Sequence, residues 1–276
     1  MENVLKRIFK KDKKVIIGAI HFAPLLGYPD YPGFKTTLNN AIKDLSAFEE
    51  GGVDGVIIEN NYDVPHKIEV NKETVDLMIK LGQEIKKKTN LTIGVNILWN
   101  DFRSALFIAK TIGAQFIRIP VFVDKVETDY GIIEGKPEEV INYRKEIGAE
   151  NIAIFTDIHV KHSILLSTRS ITESAQEAIK MGSDGIIITG KWTGDAPDIE
   201  ELKQTRNAIN DFPLLIGSGT NEANINTLFN YADGAIVSTS LKEGSEIQTE
   251  VNVKKYEQRI DLKRVRKIVS TIGKQP

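Results

Sequence analysis

Eight short apolar runs punctuate the chain: VIIGAIH (15–21), DGVIIEN (54–60), LTIGVNI (91–97), QFIRIPV (115–121), IAIFTDI (152–158), DGIIITG (184–190), PLLIGSG (213–219) and GAIVSTS (234–240). Each is apolar almost without interruption, the pattern of strands buried on both faces of a parallel sheet. Between them the spacing turns helical. Leu38, Ile42, Leu45 and Phe48 form one stripe, Ala105, Ile108, Ala109 and Ile112 a second, Ala175, Ala178 and Ile179 a third, and Leu262, Val265, Ile268 and Val269 a fourth. A stripe of that kind lies on one helix face and must pack against the sheet. Eight units in 276 residues average about 34 each, the size of one βα unit. The pattern therefore predicts an α/β protein: a single (β/α)8 TIM barrel spanning 1–276, with a short N-terminal helix before the first strand. An open doubly wound sheet is the alternative, but no Gly-x-Gly-x-x-Gly follows the first strand.

Three Asp-Gly pairs, Asp54-Gly55, Asp184-Gly185 and Asp233-Gly234, directly precede strands. In a barrel they fall at the N-terminal face, where turn chemistry explains them: Asp bonds its own backbone and Gly tolerates unusual dihedrals. The first two lie four units apart, as in a duplicated half-barrel. The segment FAPLLGYPDYPGF (22–34) holds three of the nine prolines and is expected to be an ordered loop over the barrel mouth.

Composition narrows the function. A chain of this size buries about three quarters of its unfolded surface and needs no covalent staple. With no Cys, disulfides, thiolate nucleophiles and Cys-ligated metals are excluded. A formal net charge of −2 with scattered Lys and Arg argues against nucleic-acid partners. The basic start, MENVLKRIFKKDKK, is read as a solvated short helix, with no signal-peptide core behind it. No apolar run approaches the roughly 20 residues of a membrane helix, so a cytoplasmic protein is expected.

Barrel chemistry sits at the C-terminal strand ends. Read there, the sequence supplies His21, Glu59, Asn61, Asn96, Arg118, Asp157, His159, Lys161, Thr189 and Lys191. Glu59 and Asp157 are the acid–base candidates, because carboxylates in different surroundings can divide acid and base roles. Asp157 and His159 alternate along a strand and are expected to share its face, with His21 and His159 orienting or stabilising charge. Asn61, Asn96, Arg118, Lys161, Thr189 and Lys191 are the substrate-binding candidates. Gly217, Ser218 and Gly219 after the seventh strand, with Ser238 and Thr239 after the eighth, occupy the usual barrel phosphate site. No cofactor is expected, and the four dispersed His residues offer no His-x-x-x-His spacing for a metal; a divalent ion at His159 is the alternative. A barrel-mouth Lys desolvated enough to form a Schiff base opens a second chemistry at Lys161 or Lys191, although Lys191 reads better as a loop Lys pairing with phosphate.

The same segments resemble the BtpA family, which includes the SgcQ-like proteins. IGAIHFAPLLGYPDY resembles the family's opening, GGVDGVIIENNYDVP its second-strand motif and DIHVKHS its fifth. ITGKWTGDAPD, IGSGTNEANI and ADGAIVSTSLKEG continue the match in order, from about residue 13 to 273. The resemblance implies a (β/α)8 barrel. The family takes its name from a role in photosystem I biogenesis or stability in cyanobacteria, and it has members in non-photosynthetic bacteria and archaea.

Two functions are therefore expected to compete. One is an enzyme acting on a phosphorylated sugar or nucleotide-like molecule as isomerase, glycosidic-bond hydrolase or lyase, in a homo-oligomer. The other is an assembly factor or ligand-sensing scaffold with a vestigial site.

Overall fold

All eight predicted strands form and close on themselves in the computed structural model, which describes residues 3–244 and 256–272. Met1 and Glu2 of the basic run, and Gly273 at the end of the family-like span, lie outside them. Eleven strands follow in chain order among the described residues: β1 (Val15–His21), β2 (Gly55–Glu59), β3 (Thr92–Asn96), β4 (Phe116–Ile119), β5 (Lys125–Thr128), β6 (Gly131–Glu134), β7 (Ala153–Ile158), β8 (Ile164–Leu165), β9 (Gly185–Ile188), β10 (Leu214–Ile216) and β11 (Gly234–Val237). Eight make a closed parallel barrel in the order β1-β11-β10-β9-β7-β4-β3-β2, so the open-sheet alternative falls. Helices α1 (Val4–Phe9), α2 (Phe34–Gly51), α3 (Lys72–Lys86), α4 (Phe102–Ile112), α5 (Pro137–Glu146), α6 (Ile171–Lys180), α7 (Ile199–Ile209), α8 (Ile225–Leu228) and α9 (Leu262–Thr271) run between and after the strands.

The strand runs are unbroken because both faces are buried. Ile16, Ile20, Val56 and Ile58 point outward and meet the helix stripes of Leu45, Phe48, Ile108 and Val265. Ile17, Ile57, Phe116, Phe155, Ile187, Leu215 and Ile236 fill the barrel itself. A Cβ at Gly94 would come 2.2 Å from the Phe116 ring, so the small residue makes room for the large one across the lumen. The basic N-terminal run is not a solvated helix. Val4, Leu5 and Phe9 of α1 join the lumen cluster and close the N-terminal end, Leu5 with 0% exposure. Its Lys and Arg positions face away, which is why composition alone read it as surface.

At that same rim the Asp-Gly pairs do something more specific than expected. Each Asp bonds the neighbouring strand rather than its own turn. Asp54 Oδ2 accepts from the Ile16 N–H (2.8 Å), Asp184 Oδ2 from Ile154 (2.8 Å) and Asp233 Oδ2 from Leu214 (3.0 Å). The backbone N–H groups of these three Asp return a bond to the same partners' carbonyls at 2.8, 2.8 and 2.7 Å. Gln115 repeats the arrangement before β4, accepting from Ile93 N–H at 2.8 Å. Every second barrel strand is thus clamped to its predecessor, a fourfold repeat that the Gln at one position hides from sequence comparison. Lys11, Arg144 and Arg206 neutralise the three carboxylates.

Strands β5, β6 and β8 form a separate antiparallel sheet between β4 and α6 that the apolar pattern does not announce. Its strands are short and half polar. Val126 and Ile133 on its inner face pack on Trp99, Val121 and Val160, leaving Ile132 and Ile164 exposed. No helix among the described residues is long and apolar enough to cross a membrane.

Replacing Asp233 by Ala strands the Arg206 guanidinium and the Leu214 N–H together. Thermal unfolding of that variant should show a loss of about 1–3 kcal/mol. An unchanged melting temperature would remove the rim clamps from the account of stability.

Candidate active site at the barrel mouth

The opposite rim gathers polar side chains from every quarter of the barrel. Register places them: His21 pairs with Glu59 and Glu59 with Asn96 at the ends of β1, β2 and β3. Arg118, on β4, is the centre. Its Nε and Nη2 donate to Asp157 Oδ1 and Oδ2 at 2.8 and 2.7 Å, a bidentate pair between buried groups. Its Nη1 lies 3.7 Å from Glu59 Oε1, and Glu59 Oε2 lies 3.5 Å from His21 Nε2. Glu59 and Asp157 therefore do not face each other across an open mouth; Arg118 stands between them.

These neighbours set the protonation states. Burial alone would raise Glu59, but His21, Arg118 and Lys161 outweigh it and hold the carboxyl down at about 2. Burial lowers His21, and Lys242 and Lys161 add to that against the opposing pull of Glu59. At neutral pH an anionic carboxylate thus faces a neutral imidazole. Burial opposes the charge on Arg118, yet Asp157 and Glu59 more than offset it and raise its pKa. Lys161 is brought down to about 8, first by burial and then by Arg118.

A cavity of about 830 Å³ opens above this cluster, within the usual size range of small-molecule sites. His21, Glu59, Asn61, Arg118 and Lys161 line its floor, while Gly217–Ala223 and Val237–Leu241 form the far wall. In that wall the N–H groups of Ser218, Gly219 and Thr220 donate to no acceptor among the described residues. Gly219 takes φ +66°, and a Cβ there would lie 2.1 Å from the Ala196 nitrogen, so only glycine brings this loop against the 195–196 segment. A Cβ on Gly217 would lie 2.9 Å from Arg118 Nη2, so its small size serves the guanidinium as much as the loop. Ser238 Oγ and Thr220 Oγ1 are buried without a hydrogen-bond partner, as are Glu59 Oε1 and Asn96 Oδ1.

Several predicted residues take other places. His159 leaves the mouth: β7 ends at Ile158, His159 turns to φ +49°, and its Nε2 lies 3.5 Å from Ser174 Oγ of α6. The strand alternation that was to put it beside Asp157 stops one residue too early. Thr189 spends its hydroxyl accepting from the Lys161 N–H at 3.0 Å. Ser218 Oγ accepts from Gly190 N–H and donates to the Asp195 carbonyl, so only its backbone faces the cavity wall as a free donor. Lys191 is exposed and lines, with His159, Thr189 and Trp192, a second cavity of about 740 Å³. Thr239 lines the main cavity as expected. The proline-rich 22–34 loop does not line it; the Leu25 N–H is anchored instead on Asp63 Oδ1 at 2.7 Å. Thr220, Arg264 and Lys267 were not anticipated. The two cations stand three apart on α9, opposite its apolar stripe, and that spacing was the available signal. No group of three or more His, Asp or Glu among the described residues is arranged to hold a metal ion.

Fold and site together define a (β/α)8 barrel with a charged, ligand-sized mouth and free backbone donors at its seventh strand end. The chain matches the BtpA family over residues 12–274 and belongs to it. An uncharacterized protein of Pyrococcus furiosus is 37% identical over 245 residues, covering 88% of this chain and 92% of its own. The photosystem I biogenesis protein BtpA of Synechocystis is 37% identical over 240 residues, 86% of this chain and 83% of its own. Among solved structures, the N-(5'-phosphoribosyl)anthranilate isomerase of Pyrococcus furiosus superposes with TM-score 0.55 at 12% identity, covering 94% of this chain and 98% of its own. The phosphoribosyl anthranilate isomerase of Thermus thermophilus gives 0.57 at 8%, covering 93% and 97%. At such identities the likeness is one of fold.

Lys161 makes the site's pH dependence readable. Its folded pKa of about 8 lies below the ordinary Lys value near 10.4, so the folded state releases the proton first as pH rises. Stability attributable to Lys161 is therefore depressed below pH 8 and recovers toward the ordinary Lys range. Glu59 runs the other way, stabilising above the ordinary carboxylate range and losing that contribution as pH falls toward 2. Urea midpoints of parent and Lys161→Met should differ most near pH 7, with the variant relatively favoured, and converge as pH approaches about 10. A constant gap would mean that the amine is not desolvated.

Proposed function

We propose that the protein is a cytoplasmic enzyme that binds a phosphorylated small molecule, a sugar phosphate or nucleotide-like compound, across the barrel mouth and acts on it by acid–base chemistry. One observation carries the reading: Glu59 Oε1, Thr220 Oγ1 and Ser238 Oγ are buried, line one cavity and have no hydrogen-bond partner, and Asn96 Oδ1 stands unmatched beside Glu59 in register. An unmatched buried polar atom costs about 1–3 kcal/mol, and four in one place are explained when a polar ligand completes them. In this reading Ser238 Oγ and the 218–220 N–H groups take the phosphate, while Lys267, paired with Glu222 at 2.7 Å, and Arg264, 3.9 Å from Asp261, border the site from α9. Glu59 is the proton carrier and His21 its partner. Arg118 stabilises developing negative charge, and Asn61 and Asn96 orient substrate hydroxyls. Asp157 holds Arg118 in place: two short charge-assisted bonds pin it, and it does not line the cavity. The chemistry is read as the side chains' own, without a cofactor, because a carboxylate, an imidazole, an amine and a guanidinium already meet at the mouth.

Isomerisation, glycosidic-bond hydrolysis and carbon–carbon cleavage all fit this set. The phosphoribosyl substrates named for the solved barrels agree with a sugar phosphate by analogy of fold. A homo-oligomer belongs to the same reading, since Ile132 and Ile164 are exposed together on the side sheet. The photosystem I biogenesis for which the Synechocystis relative is named favours a second reading, a biogenesis factor that retains the mouth without turnover.

Calorimetric titration with a panel of sugar phosphates and nucleotides should find binding, and Ser238→Ala should weaken it by about tenfold, the worth of one hydrogen bond. Equal affinity in both proteins would take the phosphate away from the 238 loop.

With a turned-over member of that panel, Glu59→Gln should lose about 10²-fold or more in rate while melting where the parent does. Asp157→Asn should do the reverse, losing about 3 kcal/mol of stability through the half-released Arg118, with activity following the folded fraction. No turnover of any member, with binding intact, would favour the scaffold.

A further inference from the structure

Lys161 forms part of the wall of both cavities. It sits three residues beyond the end of β7, and its own backbone is held by the N–H bond to Thr189 Oγ1. Its side chain is only partly exposed, yet among the described residues no carboxylate oxygen comes within ion-pair distance of its Nζ. The two carboxylates nearest to hand, Glu59 and Asp157, are engaged on Arg118. Lys191, at the neighbouring strand end in the wall of the second cavity, is exposed to solvent, and Lys242 Nζ is bound to the Tyr62 hydroxyl at 2.9 Å. Lys161 is therefore a desolvated amine, positioned by its backbone and left without a fixed partner, lining the same cavity as a carboxylate–imidazole pair.

We propose that Lys161 Nζ is a nucleophile that condenses with the carbonyl carbon of the substrate, an aldose or ketose phosphate, to form an iminium. The claim rests on the phosphate-binding reading for the substrate's other end and narrows its chemistry. The neutral amine's lone pair forms the C–N bond as the C=O π pair moves to oxygen. Glu59, ionised and next to His21, carries one proton from the nitrogen to that oxygen, which gives the carbinolamine. One further proton from solvent, relayed by the same pair, lets the oxygen leave as water while the nitrogen lone pair closes the C=N bond. The sum is amine, carbonyl and one proton going to iminium and one water, with the positive charge kept on nitrogen in the cavity that Glu59 also lines. Burial and the Arg118 charge place the amine's pKa at about 8, so about a tenth is unprotonated at pH 7, far more than for an ordinary Lys. An iminium withdraws electrons from the adjacent carbon, which suits proton abstraction or carbon–carbon cleavage there and does not assist glycosidic hydrolysis.

The test is reductive trapping on the full chain with sodium borohydride, using glyceraldehyde 3-phosphate and, separately, glycolaldehyde, followed by peptide mapping. Lys161 should carry the reduced adduct in about tenfold or greater excess over Lys191 and every other lysine, as expected for one amine titrating near 8 among amines near 10.4. Lys161→Arg should abolish the trapped product while inorganic phosphate still binds by calorimetry. Should that variant fail to fold, the labelling ratio within the parent decides alone. Preferential labelling by both aldehydes without phosphate binding would uphold the amine and remove the phosphate reading. Labels spread evenly over surface lysines, or absent from Lys161 with both probes, would overturn the proposal whether or not phosphate binds.

Discussion

A guanidinium only 6% exposed at the top of a barrel lumen is the constraint around which the mouth is arranged. Taking Arg118 out of water costs several kcal/mol and is tolerated only where its donors are matched. Asp157 matches two of them, and Glu59 faces a third at longer range. The guanidinium then dictates what else can be near. Gly217 must lack a side chain, because a Cβ would press on Arg118 Nη2. Lys161, placed close to a permanent cation, gives up its own proton more readily. Glu59 is held ionised although buried. Together with His21 beside Glu59 and the burial of Lys161, the guanidinium thus helps to produce an ionised carboxylate and a softened amine, and Gly217 keeps the floor open at the same spot.

The two rims of the barrel use the same residue types to opposite ends. At the N-terminal rim each Asp accepts from a neighbouring strand and from a cation, and its backbone returns the bond. At the C-terminal rim polar atoms of Glu59, Asn96, Thr220 and Ser238 remain unmatched. Polar groups closed on each other stabilise; polar groups left open in a cavity are held in readiness for a ligand. The contrast separates structural from functional carboxylates better than burial does, since Asp157 is as buried as Glu59 yet fully engaged.

How far the sequence carried this picture follows from what each signal measures. Continuous apolar runs report burial on both faces, so all eight barrel strands and the ring of residues at their ends were legible. Alternation assumes that a strand continues, and it misplaced His159 because the backbone turns left-handed there. Composition assumes that a basic run faces water, and it missed Leu5 and Phe9 beneath the barrel. The side sheet carries neither a long run nor a clean alternation. Residue type cannot say which hydroxyl is already spent: Ser218 and Thr189 are used internally, whereas Ser238 and Thr220 are not. The three Asp-Gly pairs were visible but were assigned to their own turns rather than to a clamp on the neighbouring strand, and the fourth position was invisible at Gln115, whose amide oxygen does the same work.

Those spent hydroxyls join the two ends of the site. Ser218 Oγ bridges the Gly190 N–H and the Asp195 carbonyl, and Gly219 lies flush on the 195–196 backbone. The loop that offers its N–H groups to a phosphate is therefore fastened to the segment leaving β9. Thr189, at the end of β9, holds the backbone of Lys161. An anion drawn onto residues 218–220 would steady Ser218, and through it the β9 end and the peptide that carries the amine. The coupling runs through three hydrogen bonds, each near 3 Å, with no long side chain among the linking groups. Short, rigid links of this kind transmit position better than flexible ones, because little rotamer freedom is available to absorb a displacement. A mouth built this way aligns its amine and its carboxylate when the far end of the ligand is gripped, so a molecule lacking the phosphate would meet the same residues in a looser arrangement.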